Sequence, residues 1–191
     1  MGFIRVAWAA LILIVQSSSM GCASDPSTPS GPGDCDWRVE SDLPGVTVVA
    51  PDLGCSFTVQ EADEGLELRF DYVVESPEDV QIETSPCLPP DGGGLRFLAR
   101  LSGEDGQWCP TCDVGLCPQD DTVYTTVVGT WPQSFEIRPR AWNGPSDYGA
   151  QPGDLFEPGT YALEAVSRGT WGPVDGPLDF EISVRGPIEL Q

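Results

Sequence analysis

Residues 66–74 read Leu-Glu-Leu-Arg-Phe-Asp-Tyr-Val-Val, and that stretch constrains the fold more than any other. Leu66, Leu68, Phe70, Tyr72 and Val74 fall on one side, and Glu67, Arg69 and Asp71 on the other. Apolar residues at period two make a half-buried strand, because successive side chains of extended backbone point to opposite faces. A single strand leaves its backbone donors and acceptors unpaired, so the rest of the chain must supply neighbours. The same alternation recurs at Phe135 and Ile137, at Tyr161–Val166, and at Leu178–Val184, where Phe180, Ile182 and Val184 face inward and Glu181, Ser183 and Arg185 outward. Shorter runs at Trp37–Glu40, Val46–Ala50, Phe57 with Val59, and Val80 with Ile82 fit the pattern. Leu95–Leu101 is placed as a strand, and the β-branched run Thr122–Val128 as a buried one. Asp63-Glu64-Gly65 is a turn into the 66–74 strand, and 102–121 is an irregular loop. About ten short strands, with turns roughly ten residues apart and no long helical period, predict an all-β antiparallel β-sandwich. There is no internal repeat.

The N-terminus belongs to another part of the molecule. Arg5 precedes ten unbroken apolar residues, Val6–Val15, and Gln16–Cys22 then turn small and polar. That order is a secretory signal. Ten residues of helix span ~15 Å, about half a bilayer core, which is too short for a permanent span. Met20-Gly21-Cys22 resembles the lipobox of bacterial lipoproteins, with Ser19 standing where that family favours Leu. The resemblance implies that Cys22 is lipidated and becomes the first residue of the mature chain. Gly21-Cys22-Ala23 also fits an ordinary signal-peptidase site, which would release a soluble protein. Cysteine parity favours lipidation: without Cys22, six of the seven cysteines remain, an even number that can pair completely. The expected organisation is a signal at 1–21, a lipidated Cys22 with a flexible Pro/Ser/Gly tether to residue 34, and one β-sandwich domain at 35–191. Extended, the tether reaches about 40 Å.

Charge removes whole classes of partner. All nine basic residues are Arg, and the chain has neither Lys nor His. Without the leader, thirty acids face eight arginines, a formal charge of −22. Such a surface repels phosphate backbones and anionic headgroups, so nucleic acid is not an expected partner and membrane attachment rests on the lipid. The lack of His removes the commonest general base and metal ligand, and the lack of Lys removes Schiff-base chemistry and the P-loop.

Cys35, Cys55, Cys87, Cys109, Cys112 and Cys117 are read as three disulfides of an exported domain. Fifteen pairings are possible for six cysteines. The preferred set joins Cys35 to Cys55, Cys87 to Cys109, and Cys112 to Cys117. Trp108-Cys109-Pro110-Thr111-Cys112 superficially resembles a thioredoxin-type redox site. That chemistry needs its first cysteine at a helix N-terminus, and glycines precede this one while Gly115 and Pro118 oppose a helix after it. Four thiolates for zinc are disfavoured because Cys87 stands alone instead of in a knuckle.

Phe135–Val166, with Trp142-Asn143-Gly144 followed by Phe156-Glu157-Pro158-Gly159-Thr160-Tyr161, resembles the last strands of bacterial immunoglobulin-like sandwiches. Similar stretches occur in the bacterial intracellular proteinase inhibitor family and in flagellar-hook-capping immunoglobulin-like domains. The resemblance implies a fold more than a function.

Two acidic groups are candidate sites: Glu61, Asp63, Glu64 and Glu67 around a turn, and Asp113, Asp120 and Asp121 in the cysteine loop. Without an Asp-x-Asp-x-Asp-Gly loop they read as solvated surface, with no cofactor or metal assigned. Trp131, Trp142 and Trp171 lie at or near strand ends, where they either form a binding patch or cover the open ends of the core. The expectation is a lipid-anchored, non-enzymatic binding or structural module of the cell envelope. It would face the periplasm or exterior, more in keeping with the outer than the inner membrane, and meet an envelope protein or glycan. The alternatives are an extracytoplasmic protease inhibitor and a carboxylate-based or calcium-dependent hydrolase.

Overall fold

A computed structural model describes residues 35–82, 90–110, 122–142 and 152–191. Eleven strands and one short helix follow one another there: β1 (Arg38–Ser41), β2 (Val46–Val48), β3 (Ser56–Phe57), α1 (Val59–Glu64), β4 (Leu66–Val74), β5 (Asp79–Ile82), β6 (Leu98–Gly103), β7 (Gly106–Trp108), β8 (Val123–Thr125), β9 (Gly129–Ile137), β10 (Gly159–Trp171) and β11 (Leu178–Leu190).

They form two sheets. The smaller is β2-β4-β9, with Leu68 opposite Phe135 and Tyr72 opposite Trp131. The larger runs β1-β11-β10-β5-β8, and β6 lies against β10 and carries β7 on its other side. Pairing between the described strands is antiparallel, apart from a two-residue parallel contact of β3 with β11, and Trp108 of β7 makes an isolated parallel bridge with Trp142. The long hairpin of β10 and β11 is the spine of the larger sheet, paired from Gly159–Leu190 to Trp171–Leu178. Inward residues of both sheets form one apolar core in which Leu68, Tyr72, Leu101, Leu163, Ile182, Val184 and Ile188 are fully buried. Alternation along β4 is complete: all five apolar side chains are buried, and Glu67 and Arg69 are exposed.

Several elements differ from the sequence expectation. The Phe57–Val59 strand stops at Phe57, and the chain turns into α1. Thr58 accepts from the Glu61 backbone N–H, and the Glu61 carboxylate accepts in return from the Thr58 N–H, at 2.8 Å. That reciprocal pair satisfies two donors that a helix start leaves free, so Thr-x-x-Glu overrides the short alternation. Residues Asp63 and Glu64 accordingly end a helix, and Gly65 caps it at φ +117°. The expected loop after Leu101 is in part a β6–β7 hairpin, with Leu101 opposite Trp108. Leu95–Phe97 are buried but precede the strand, which starts at Leu98. The 122–128 run is not a buried strand: β8 has three residues at the sheet edge, and Val123, Val127 and Val128 are exposed. Ser183 points outward yet is buried, flanked along β11 by Glu181 and Arg185 and opposite Val166. Those neighbours belong to a cross-strand ion-pair ladder: Arg100 with Glu164, Glu164 with Arg185, and Glu181 with both Arg185 and Arg168.

Candidate functional site

Four connections meet at one end of the two sheets: 42–45 between β1 and β2, 75–78 between β4 and β5, 126–128 between β8 and β9, and the 172–177 tip of the β10–β11 hairpin. Backbone bonds tie the first three together. The Glu75 N–H donates to the Gly45 carbonyl at 2.7 Å, and the Thr126 N–H to the Glu78 carbonyl at 2.9 Å. The Glu78 N–H in turn donates to Thr126 Oγ1 at 2.8 Å, which accounts for the burial of that threonine. A side chain at Gly45 would meet Ser76, and Gly45 has φ +68°, so both space and backbone demand glycine there. At the hairpin tip Gly172 has φ +93° and open space around it, and the Gly176 N–H closes the turn on the Pro173 carbonyl at 3.0 Å. Prolines and glycines thus hold the apolar tip residues away from any packing partner.

The outcome is an exposed apolar surface. Of the seven exposed large hydrophobic residues in the described parts, five lie at this end: Val123, Val127, Val128, Val174 (93 % exposed) and Leu178. Five acids stand among them: Glu75, Glu78, Asp79, Asp175 and Asp179. Among the described residues none of the five forms an ion pair. Seven arginines are paired elsewhere: in the ladder, beside α1, and along the edges of β1, β4 and β9. The eighth described arginine, Arg96, is buried and interacts with Tyr124 of β8, so among the described residues none of these five acids has an arginine partner.

A polar node lies just beneath the 126–128 turn. The buried Tyr72 hydroxyl donates to Asp91 Oδ1 at 2.5 Å, the Gly93 N–H to the same oxygen at 2.8 Å, and Gln133 Nε2 to the other oxygen at 2.5 Å. Burial, reinforced by the Asp91 carboxylate, holds the Tyr72 phenol well above its ordinary value. Gly93 packs so closely that a Cβ would come within 2.0 Å of the Tyr72 oxygen and 2.6 Å of the Trp131 ring. Trp131 Nε1 then donates to the Val127 carbonyl at 2.7 Å, and the Val127 N–H to the Gly93 carbonyl at 3.0 Å. Asp91 and the Gly92-Gly93-Gly94 run set the conformation of the valine turn. The sequence signal was an acid followed by three glycines, a pattern suited to a side chain bonding its own backbone two residues on.

The residues singled out in the sequence are distributed as follows. Cys35 and Cys55 are joined in a disulfide at the opposite end from these loops, with the Cys55 carbonyl accepting from the Glu189 N–H at 2.6 Å. Cys109 is fully buried and disulfide-bonded. Cys22, Cys87, Cys112 and Cys117, with the pairings expected for the last three, lie outside the described residues, as do Asp113, Asp120 and Asp121. The tryptophans do not form one patch. Trp131 supports the valine turn, Trp142 packs on Trp108 with the rings tilted at 57° and their centres 4.7 Å apart, and Trp171 stands between Leu178 and Val80 in the sheet register. All three are half-buried against the core.

The first acidic group does not converge on one point. Glu61 is held low by its bonds from Thr58, Asp63 by the Arg140 guanidinium that donates to both its oxygens, and Glu67 by Arg69 and then Ser134. Among the described residues no three His, Cys, Asp or Glu side chains are grouped as metal ligands. No described helix is long and apolar enough to cross a membrane. What the loop end offers chemically is a set of exposed apolar side chains bordered by carboxylates that lack arginine partners among the described residues, one of which, Asp79, accepts from the Thr125 hydroxyl at 2.7 Å. Comparison with models of known protein families, with curated proteins and with solved structures finds no match to this chain.

Proposed function

We propose that this is a lipid-anchored module of a bacterial cell envelope, held through Cys22 and acting by binding through the loops at the far end of an immunoglobulin-like β-sandwich. The observation that carries the binding reading is the gathering at one loop end of five of the seven exposed large hydrophobics among the described residues. Monomeric soluble domains rarely leave apolar surface contiguous, and loops on a rigid two-sheet scaffold are where recognition usually sits. The anchor rests on the leader, on the lipobox-like Met20-Gly21-Cys22 and on cysteine parity.

A local feature supports the immunoglobulin-like reading. Tyr161 lies at the start of β10, and its hydroxyl reaches back to the Glu157 carbonyl four residues upstream at 2.7 Å, with Asp105 as a second acceptor. A tyrosine closing a corner on its own upstream backbone is a recurring device of such sandwiches. In this chain the tyrosine belongs to the Glu157-Pro158-Gly159-Thr160-Tyr161 stretch that carries the resemblance.

Fractionation tests the anchor. Wild-type protein should sediment with membranes, and Cys22→Ser should move to the soluble or uncleaved fraction with the domain's melting temperature unchanged. Wild-type protein that stays soluble and begins at Ser24 would remove the anchor from this reading.

A further inference from the structure

We propose that the loop end is the docking surface for a protein partner that presents an apolar patch ringed by arginine and lysine side chains. This deepens the binding-module reading and rests on it, but it does not depend on the anchor.

Position comes first. The 126–128 turn follows β8 and the hairpin tip joins β10 to β11, so their exposed residues stand two to three strand spacings apart, roughly 10–15 Å, on either side of the 75–78 loop. Val127 and Val128 are thereby exposed at the same end of the domain as Val174 and Leu178. That end is remote from where the chain enters the domain. Cys55 bonds β11 at Glu189, eleven residues from Leu178, or about 35 Å along the strand. The loop end therefore lies at the opposite end of the domain from Cys35.

Chemistry then selects the occupant. Exposed valine and leucine side chains gain from burial against another apolar surface, at roughly 25 cal/mol per Å². Acids bordering them must keep water or meet a cation, because burying an unpaired carboxylate is costly. Glu75, Glu78, Asp79, Asp175 and Asp179 have no arginine partner of their own, so a partner's basic rim would supply the missing charges. Elsewhere, exposed acids such as Glu104 and Glu157 stand without exposed large hydrophobics beside them. Two copies of this chain would bring acid against acid at these ends. An anionic lipid surface would be repelled in the same way.

The test places a photo-crosslinking benzoylphenylalanine in the full-length protein, expressed in intact cells of its source, at Val128 or Val174. Controls are placed at Val49, which is exposed just after β2, and at Glu157 at the opposite end. Both loop positions should give the same protein adduct, through a partner peptide rich in Arg or Lys, and the controls should give none. Asp175→Arg combined with Asp179→Arg should lower adduct yield at Val128 about fivefold, as should high salt, through loss of electrostatic complementarity. Val174 and both aspartates sit on an open tip or exposed strand end, so a melting temperature equal to the parent's can be required of each variant before scoring. Adducts to a second copy of the chain or to lipid, or adducts indifferent to charge reversal, would overturn the proposal. Adducts at the control positions alone would overturn it while leaving a binding module, and no adduct at any position would remove both.

Discussion

Tyr72 carries a hydroxyl into the core and finds a carboxylate acceptor there. Both burial and the Asp91 charge oppose its ionisation, so its pKa in the folded protein lies above the ordinary value near 10. Tyr161 is raised for the same two reasons, burial first and then Asp105. For an acid whose folded value is raised, the stabilisation is fully present below the unfolded value and is lost as pH climbs above it, because the unfolded chain releases its proton first. Stability should therefore be insensitive to these phenols up to about pH 10 and fall above it, each contributing up to about 1.4 kcal/mol per pH unit. Denaturant titrations between pH 8 and pH 11.5 measure this directly. Tyr72→Phe should lose stability at neutral pH through its broken bond to Asp91, yet decline less steeply than the parent above pH 10. Parallel curves for parent and variant would mean that Tyr72 ionises as easily folded as unfolded.

At the scale of the element, β4 offers the cleanest comparison of two faces. Phe70 is buried, meets Phe97 edge-on at 5.1 Å between ring centres and stacks on Phe135 at 6.1 Å. Arg69 points outward and pairs with Glu67 on its own strand. Phe70→Ala should cost about 3–5 kcal/mol through lost burial and the cavity left behind. Arg69→Ala should stay within roughly 0.5 kcal/mol, as exposed ion pairs contribute little. Thermal or urea melts of the two variants decide it, and similar losses would contradict the assignment of faces. The legibility of β4 has a physical cause: its register is specified by its own alternation, since one face is core and the other is water. The 122–128 run has no such self-sufficient signal. Its β-branched residues suit buried and edge strands equally, and only the position of β8 at the end of the larger sheet leaves Val123 in solvent. Val127 and Val128 are exposed because they bridge between sheets, a matter of topology that local composition does not encode. For α1 the signal was present, in Thr58-x-x-Glu61, and a two-residue alternation masked it. The candidate surface was hence half legible: end loops were a place to look, but the tryptophans chosen there turn out to be supports, and the valines that face solvent looked like core.

Across the whole molecule, the entering chain and the C-terminus converge at the end opposite the loops. Trp37 packs so close to Gly186 that a Cβ there would lie 2.5 Å from its ring, the Cys55 carbonyl accepts from Glu189, and the Phe57 carbonyl from Gln191. The Cys35–Cys55 bridge closes a 20-residue separation within that region. β1 remains held by its four-residue ladder with β11, and β3 by its contact beside Leu190, so the native arrangement has other fastenings. The bridge should then act chiefly on the unfolded chain, whose loop-closure entropy it removes in advance. For a loop of this length that is worth about 3 kcal/mol. Replacing both residues, Cys35→Ala with Cys55→Ala, should keep the far-ultraviolet spectrum of the folded protein and lower its melting temperature by roughly 6–12 °C, taking the usual shift for a domain of this size. A double variant that melts with the parent would show that the other contacts already restrict this segment when the chain is unfolded. A variant that loses its β spectrum would show instead that the bridge is required to seat β1 against β11.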